Sequence, residues 1–131
     1  MNRKLWKMII PSALTFLLIA CSGPSPVLNI DNAPINASSR DYDLSDVSKA
    51  IRRAGIWVGW KMRERAPGDV VGALYWRSHL AVVAITFTLD EYSIHHEDST
   101  NLGYDGYSIH GNYNSRIEKL TNAINEQLMA L

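Results

Sequence analysis

Cysteine is almost missing from this chain: Cys21 is the only one in 131 residues. A lone thiol excludes an intramolecular disulfide. Net charge is missing as well. Thirteen basic residues balance thirteen acidic ones, whereas a general nucleic-acid binder is strongly basic over its domain. No apolar run reaches the roughly 18 residues that read as a membrane-crossing helix. There is no Gly-x-Ser-x-Gly nucleophile elbow, and no glycine loop between a strand and a helix to cradle phosphate, because Gly55 and Gly59 fall within a helical pattern. Without disulfides, stability must come from a packed core, and the chain length suits one such core.

What is present begins with an ordered N-terminal pattern. Arg3, Lys4 and Lys7 form a basic opening, residues 8–20 carry no charge, and Leu18-Ile19-Ala20-Cys21 precedes Ser22-Gly23-Pro24-Ser25-Pro26. A charged start followed by a short apolar run and small residues reads as a signal peptide over residues 1–20. Leu18 to Cys21 resembles the lipobox of bacterial lipoproteins. That resemblance implies cleavage before Cys21, lipidation of Cys21 on its sulfur and new amino group, and a three-chain anchor, where two chains already hold stably. Ser22, where inner-membrane retention would have aspartate, resembles outer-membrane sorting. The expected address is the bacterial cell envelope, anchored in the outer membrane and facing the periplasm. Residues 21–26 then form a short tether that spans only about 17 Å over five extended residues. Loss of the three signal cations leaves ten basic against thirteen acidic residues, a net of −3. The membrane, through the anchor, and an envelope protein are the expected partners, and nucleic acid is not.

Residues 27–131 read as a single α+β domain. Residues 27–30 suggest a first short strand and residues 31–34 a turn. Leu44, Val47, Ile51, Ala54, Val58 and Met62 recur at steps of three and four, predicting a helix capped by Asp43 or Ser45 and ended by Ala66-Pro67-Gly68. Gly55 and Gly59 within it each cost about 1 kcal/mol relative to alanine, for which a close approach to a sheet is the simplest compensation. Residues 70–76, 80–89 and 92–97 are rich in β-branched and aromatic side chains with short connections, predicting a meander. Ser115 and Glu118 have capping-box spacing, and Ile117, Leu120, Ile124, Leu128 and Leu131 mark a second amphipathic helix. The expected architecture is a two-layer sandwich in β-α-β-β-β-α order. It has a three- or four-stranded antiparallel meander, both helices on one face, and Val83, Ile85, Ile117 and Ile124 in one core.

Chemistry is harder to read. His95-His96-Glu97-Asp98 contains good metal donors, but alternate strand residues point to opposite faces, so the two histidines do not share an ion without a bulge. Neither a metal nor another cofactor is expected. Ser93, Ser99 or Ser108 can be grouped on paper with His96 or His110 and an aspartate, as any polar loop allows; a triad is recognised by geometry. Charge is more asymmetric than composition suggests. Seven of the ten basic residues after the signal lie between Lys49 and Arg77, while residues 90–105 hold five acids and no base. On a helix through this region, Lys49, Arg52, Arg53, Ile56, Trp60 and Arg63 share the outer positions, a cationic stripe containing an indole and suited to docking a partner or resting on anionic lipid. The alternative site is a groove for cell-wall material formed by Tyr92, His96, Tyr104, Asn112 and Tyr113, where aromatic rings stack and amides hydrogen-bond. The stretches Tyr92-Ser93-Ile94, Asp98-Ser99-Thr100-Asn101-Leu102 and Asn112-Tyr113-Asn114 resemble small proteobacterial lipoproteins of unassigned activity, which imply no catalytic residue. The expectation is a lipid-anchored, non-enzymatic interaction module, with a ligand-binding or hydrolytic domain as the alternative.

Overall fold

The computed structural model describes residues 23–131, so Cys21 and the expected signal segment lie outside the described residues. The chain is an α+β fold. In order it forms β1 (Pro24–Pro26), β2 (Ile30–Pro34), α1 (Leu44–Trp57), β3 (Lys61–Ala66), β4 (Asp69–Trp76), β5 (His79–Phe87), β6 (Glu91–Thr100), β7 (Ser108–His110) and α2 (Gly111–Met129). One sheet has five antiparallel strands in the order β2-β6-β5-β4-β3, and β1 pairs with β7 in a separate two-stranded sheet.

Alternation decides which side of the large sheet is covered. Val70 and Leu74 of β4, Ala81, Val83, Ile85 and Phe87 of β5, and Tyr92 and Ile94 of β6 are buried. They join Val47, Ala50, Ile51 and Ala54 of α1 and Ile117, Leu120, Ile124 and Leu128 of α2 in one core. Both helices therefore cover the same face, as expected, and Ile85 and Ile124 both lie in that core. The intervening residues Val71, Ala73, Val82 and Ala84 are only half-buried on the outer face.

Three expectations about elements change. First, α1 stops at Trp57, and residues 61–66 form an edge strand rather than the last turns of the helix. Gly59 has φ +93, a left-handed conformation that glycine adopts without a Cβ penalty. The Trp60 amide donates to the Gly55 carbonyl at 2.9 Å and the Gly59 amide to the Ile56 carbonyl at 3.1 Å, the paired bonds of a Schellman cap. Met62 continues the helical spacing because it reaches the same core from β3. A Cβ on Gly55 would overlap the Met62 side chain, so Gly55 does mark a close approach of helix to sheet.

Second, the expected tether, strand over 27–30 and turn over 31–34 are redistributed: the strands are Pro24–Pro26 and Ile30–Pro34, and residues 27–29 connect them. Pro24 and Pro26 pair opposite His110 and Ser108, and residues 30–34 add an edge strand to β6. Proline is tolerated there because an edge strand leaves one side of its backbone unpaired. Third, α2 begins four residues before Ser115. His110 Nδ1 accepts the Asn112 amide hydrogen at 3.2 Å, while the Ser115 hydroxyl donates to the Asn112 carbonyl at 3.0 Å. The helix thus caps on a histidine and the Ser115–Glu118 box is not used. At α1 the cap is Asp43, whose carboxylate accepts from the Asp46 amide at 2.9 Å, with Asp46 returning the bond at 3.0 Å.

Candidate functional site

Ending α1 at Trp57 breaks up the cationic stripe. Lys49 and Arg53 remain on its solvent face, and Arg52 is half-buried with its Nε lacking a partner among the described residues. Trp60 is only 3% exposed and belongs to the core, because the Schellman cap turns the chain back over the sheet. Arg63 pairs opposite Val71 and projects from the outer face of the sheet, away from both helices. The exposed indole is instead Trp57, 84% exposed, beside Ile56 at 64%. Lys49, Arg53 and Ile56 follow one line along the helix, and Trp57 lies one turn after Arg53. The sequence offered a signal for this shift: Gly59 stands two residues after Trp57, where helices place their left-handed cap.

The aromatic candidates divide among three places. His96 and Tyr104 stack with ring centroids 3.9 Å apart, and Tyr113 meets the His96 ring edge-on at 5.6 Å. Tyr92 lies elsewhere, donating its hydroxyl to Asn125 Oδ1 at 2.6 Å, and burial pushes its pKa up to about 12. Asn112 faces a third region, beside Trp76 and Arg116. Three of the five residues therefore converge and two do not.

A cleft of about 330 Å³ adjoins the converged group, between residues 26–29 and the loop bearing Tyr104 and Tyr107. It opens where β2 ceases to cover β6, since their pairing runs only from Glu91 to Ile94. Burial is the main influence on the group's chemistry. It lowers the His96 pKa below the ordinary imidazole value, with Asp98 opposing, and raises that of Tyr113 well above the ordinary phenol value. His96 Nε2 lies 2.9 Å from the Ser99 hydroxyl. The Tyr113 hydroxyl is buried without a partner among the described residues, and such a group costs about 1 to 3 kcal/mol if left unsatisfied.

His95 leaves the strand on the opposite side to His96, yet it also borders the cleft, and its Nε2 lies 2.6 Å from Asp31 Oδ1. Among the described residues no group of three His, Cys, Asp or Glu side chains comes together to hold a metal ion. Among the described residues no serine lies beside a histidine that is itself oriented by a carboxylate: Ser99 contacts His96, but the histidine paired with an acid is His95. The arrangement can stack, hydrogen-bond and exclude water, which are the operations of binding. Comparison of the chain with protein-family models, with curated proteins and with solved structures finds no match in any of the three.

Proposed function

We propose that the chain is a lipid-anchored, non-enzymatic binding module of the bacterial cell envelope, held at the outer membrane and facing the periplasm. Its docking face is the outer surface of α1, and its partner is another envelope protein with an acidic rim around an apolar centre. The observation that carries this reading is Trp57, 84% exposed beside Ile56 at the end of a helix face bearing Lys49 and Arg53. Isolated exposed apolar residues are ordinary. An indole and an isoleucine side by side, with cations leading to them, have the composition of an interface anchor and its charged rim.

The test places a photocrosslinking residue at position 57 in intact cells. A discrete protein adduct is expected, lost in the Lys49→Glu/Arg53→Glu background and weakened by salt, since rim charges act mainly on association. The second reading is supported by the unpartnered Tyr113 hydroxyl behind the His96–Tyr104 stack. It makes the adjoining cleft a groove for glycan strands. No adduct from position 57, together with capture of glycan strands from position 107, would replace the first reading with the second.

A further inference from the structure

A second concavity, about 280 Å³, lies where the β4–β5 hairpin meets the first turns of α2. Arg77 comes from the hairpin, and Arg116 and Lys119 come from the helix, with Asn112 as a neutral donor, Ser115 and His79 completing the lining and Trp76 as an apolar wall. No carboxylate lines it, and among the described residues no acidic oxygen lies within 4.0 Å of these three cations. Three positive charges from two elements, converging on one hollow without an internal counter-ion, are an arrangement that an anion completes. Guanidinium groups match phosphate oxygens in paired hydrogen bonds, and an ammonium adds a point charge.

The position of this hollow in the molecule indicates the source of the anion. Arg116 sits 5.0 Å over the Trp76 ring, Trp76 lies 5.2 Å from His79, and His79 lies 6.1 Å from His110. His110 is paired directly with Pro24. The hollow is thus at the end of the domain from which the N-terminal segment leaves. Cys21 is three residues before Pro24, a reach of about 10 Å.

We propose that this hollow binds the phosphate of an acidic phospholipid headgroup in the membrane that holds the chain. The inference rests on the lipid-anchor reading for its source of ligand, and on the cation geometry for its chemistry. Bound there, the headgroup fixes the orientation of the domain, whereas the acyl chains fix only its location.

The test uses the full chain purified from membranes in mild detergent and examined by native mass spectrometry with added phosphatidylglycerol or phosphatidylcholine. One phosphatidylglycerol should be retained at least tenfold more strongly than phosphatidylcholine. Arg77→Glu/Lys119→Glu should abolish that preference with an unchanged circular dichroism spectrum, while Lys61→Glu/Arg63→Glu, which alters equal charge on the outer face of the sheet, should keep it. Equal preference in the hollow variant and the wild type overturns the proposal. So does binding of inorganic phosphate without preference for phosphatidylglycerol, which would assign the hollow to a free solute. The N-terminal acyl mass is read in the same spectra. Acyl chains without headgroup preference remove the hollow and leave the anchor, whereas preference without acyl chains removes the anchor alone.

Discussion

Trp57 and Trp60, three residues apart, make opposite demands on the structure. Trp60 is 3% exposed and Trp57 84%, so Trp60→Ala should cost about 3 to 5 kcal/mol, as aromatic truncations in cores do. Trp57→Ala should stay within about 0.5 kcal/mol, as surface changes do. Urea denaturation of the two variants checks this, and a large loss in Trp57→Ala would place that indole in the core. His96 gives a second test at this scale. Its folded-state pKa lies below the ordinary value because burial disfavours the imidazolium. The unfolded chain therefore binds the proton more readily, and stability present above about pH 6.5 is lost as the pH falls below it. The slope of stability against pH between 7 and 5 should be shallower in His96→Gln than in the wild type. Identical slopes would show that His96 is not protected from protonation in the fold.

At the level of elements, α2 was legible in the sequence because Ile117, Leu120, Ile124 and Leu128 all enter the core at helical steps. The three central strands were legible for the same reason, since their alternating apolar residues face the helices. Edge strands were not. Lys61-Met62-Arg63-Glu64-Arg65-Ala66 has little inward apolar pattern beyond Met62, while Glu64 accepts from the Ser48 hydroxyl at 3.0 Å and Arg65 bridges Asp69 and Glu97 across the outer face. Charged edges resist pairing with other chains, and that same composition hides them from a reading based on hydrophobic period. The cationic stripe was half legible: Lys49 and Arg53 lie on the exposed side of α1, but Trp60 belongs to the core and the exposed indole is Trp57. Gly55 tests the packing that caused the confusion. Gly55→Ala should destabilise the protein despite a helix-propensity gain of about 1 kcal/mol, because the new methyl overlaps Met62. Combining it with Met62→Ala should recover part of the loss, and additive losses in the double-mutant cycle would exclude that contact.

Across the whole molecule, one core serves every element of the large sheet and both helices. Ile85→Ala and Ile124→Ala should each cost about 2 to 5 kcal/mol and leave a single unfolding transition, monitored by far- and near-ultraviolet circular dichroism. The candidate groove depended on contacts that sequence order does not encode: residues 92, 96, 104, 112 and 113 span two strands' worth of chain, and only the fold separates them into three regions. The β1–β7 ladder joins that shared core only through Ile109 of β7. It contains three residue pairs, supplemented by the Val27 amide bond to Tyr107 and by Asn114, which accepts from the Leu28 amide and donates to the Pro26 carbonyl. A load arriving through the N-terminal segment meets this small ladder before it meets β2 at Ile30. Under such a load the ladder would be the first contact to yield. Its rupture pays out residues 23–29, about 24 Å of extended chain, while the five-stranded sheet stays folded at the end of a lengthened leash.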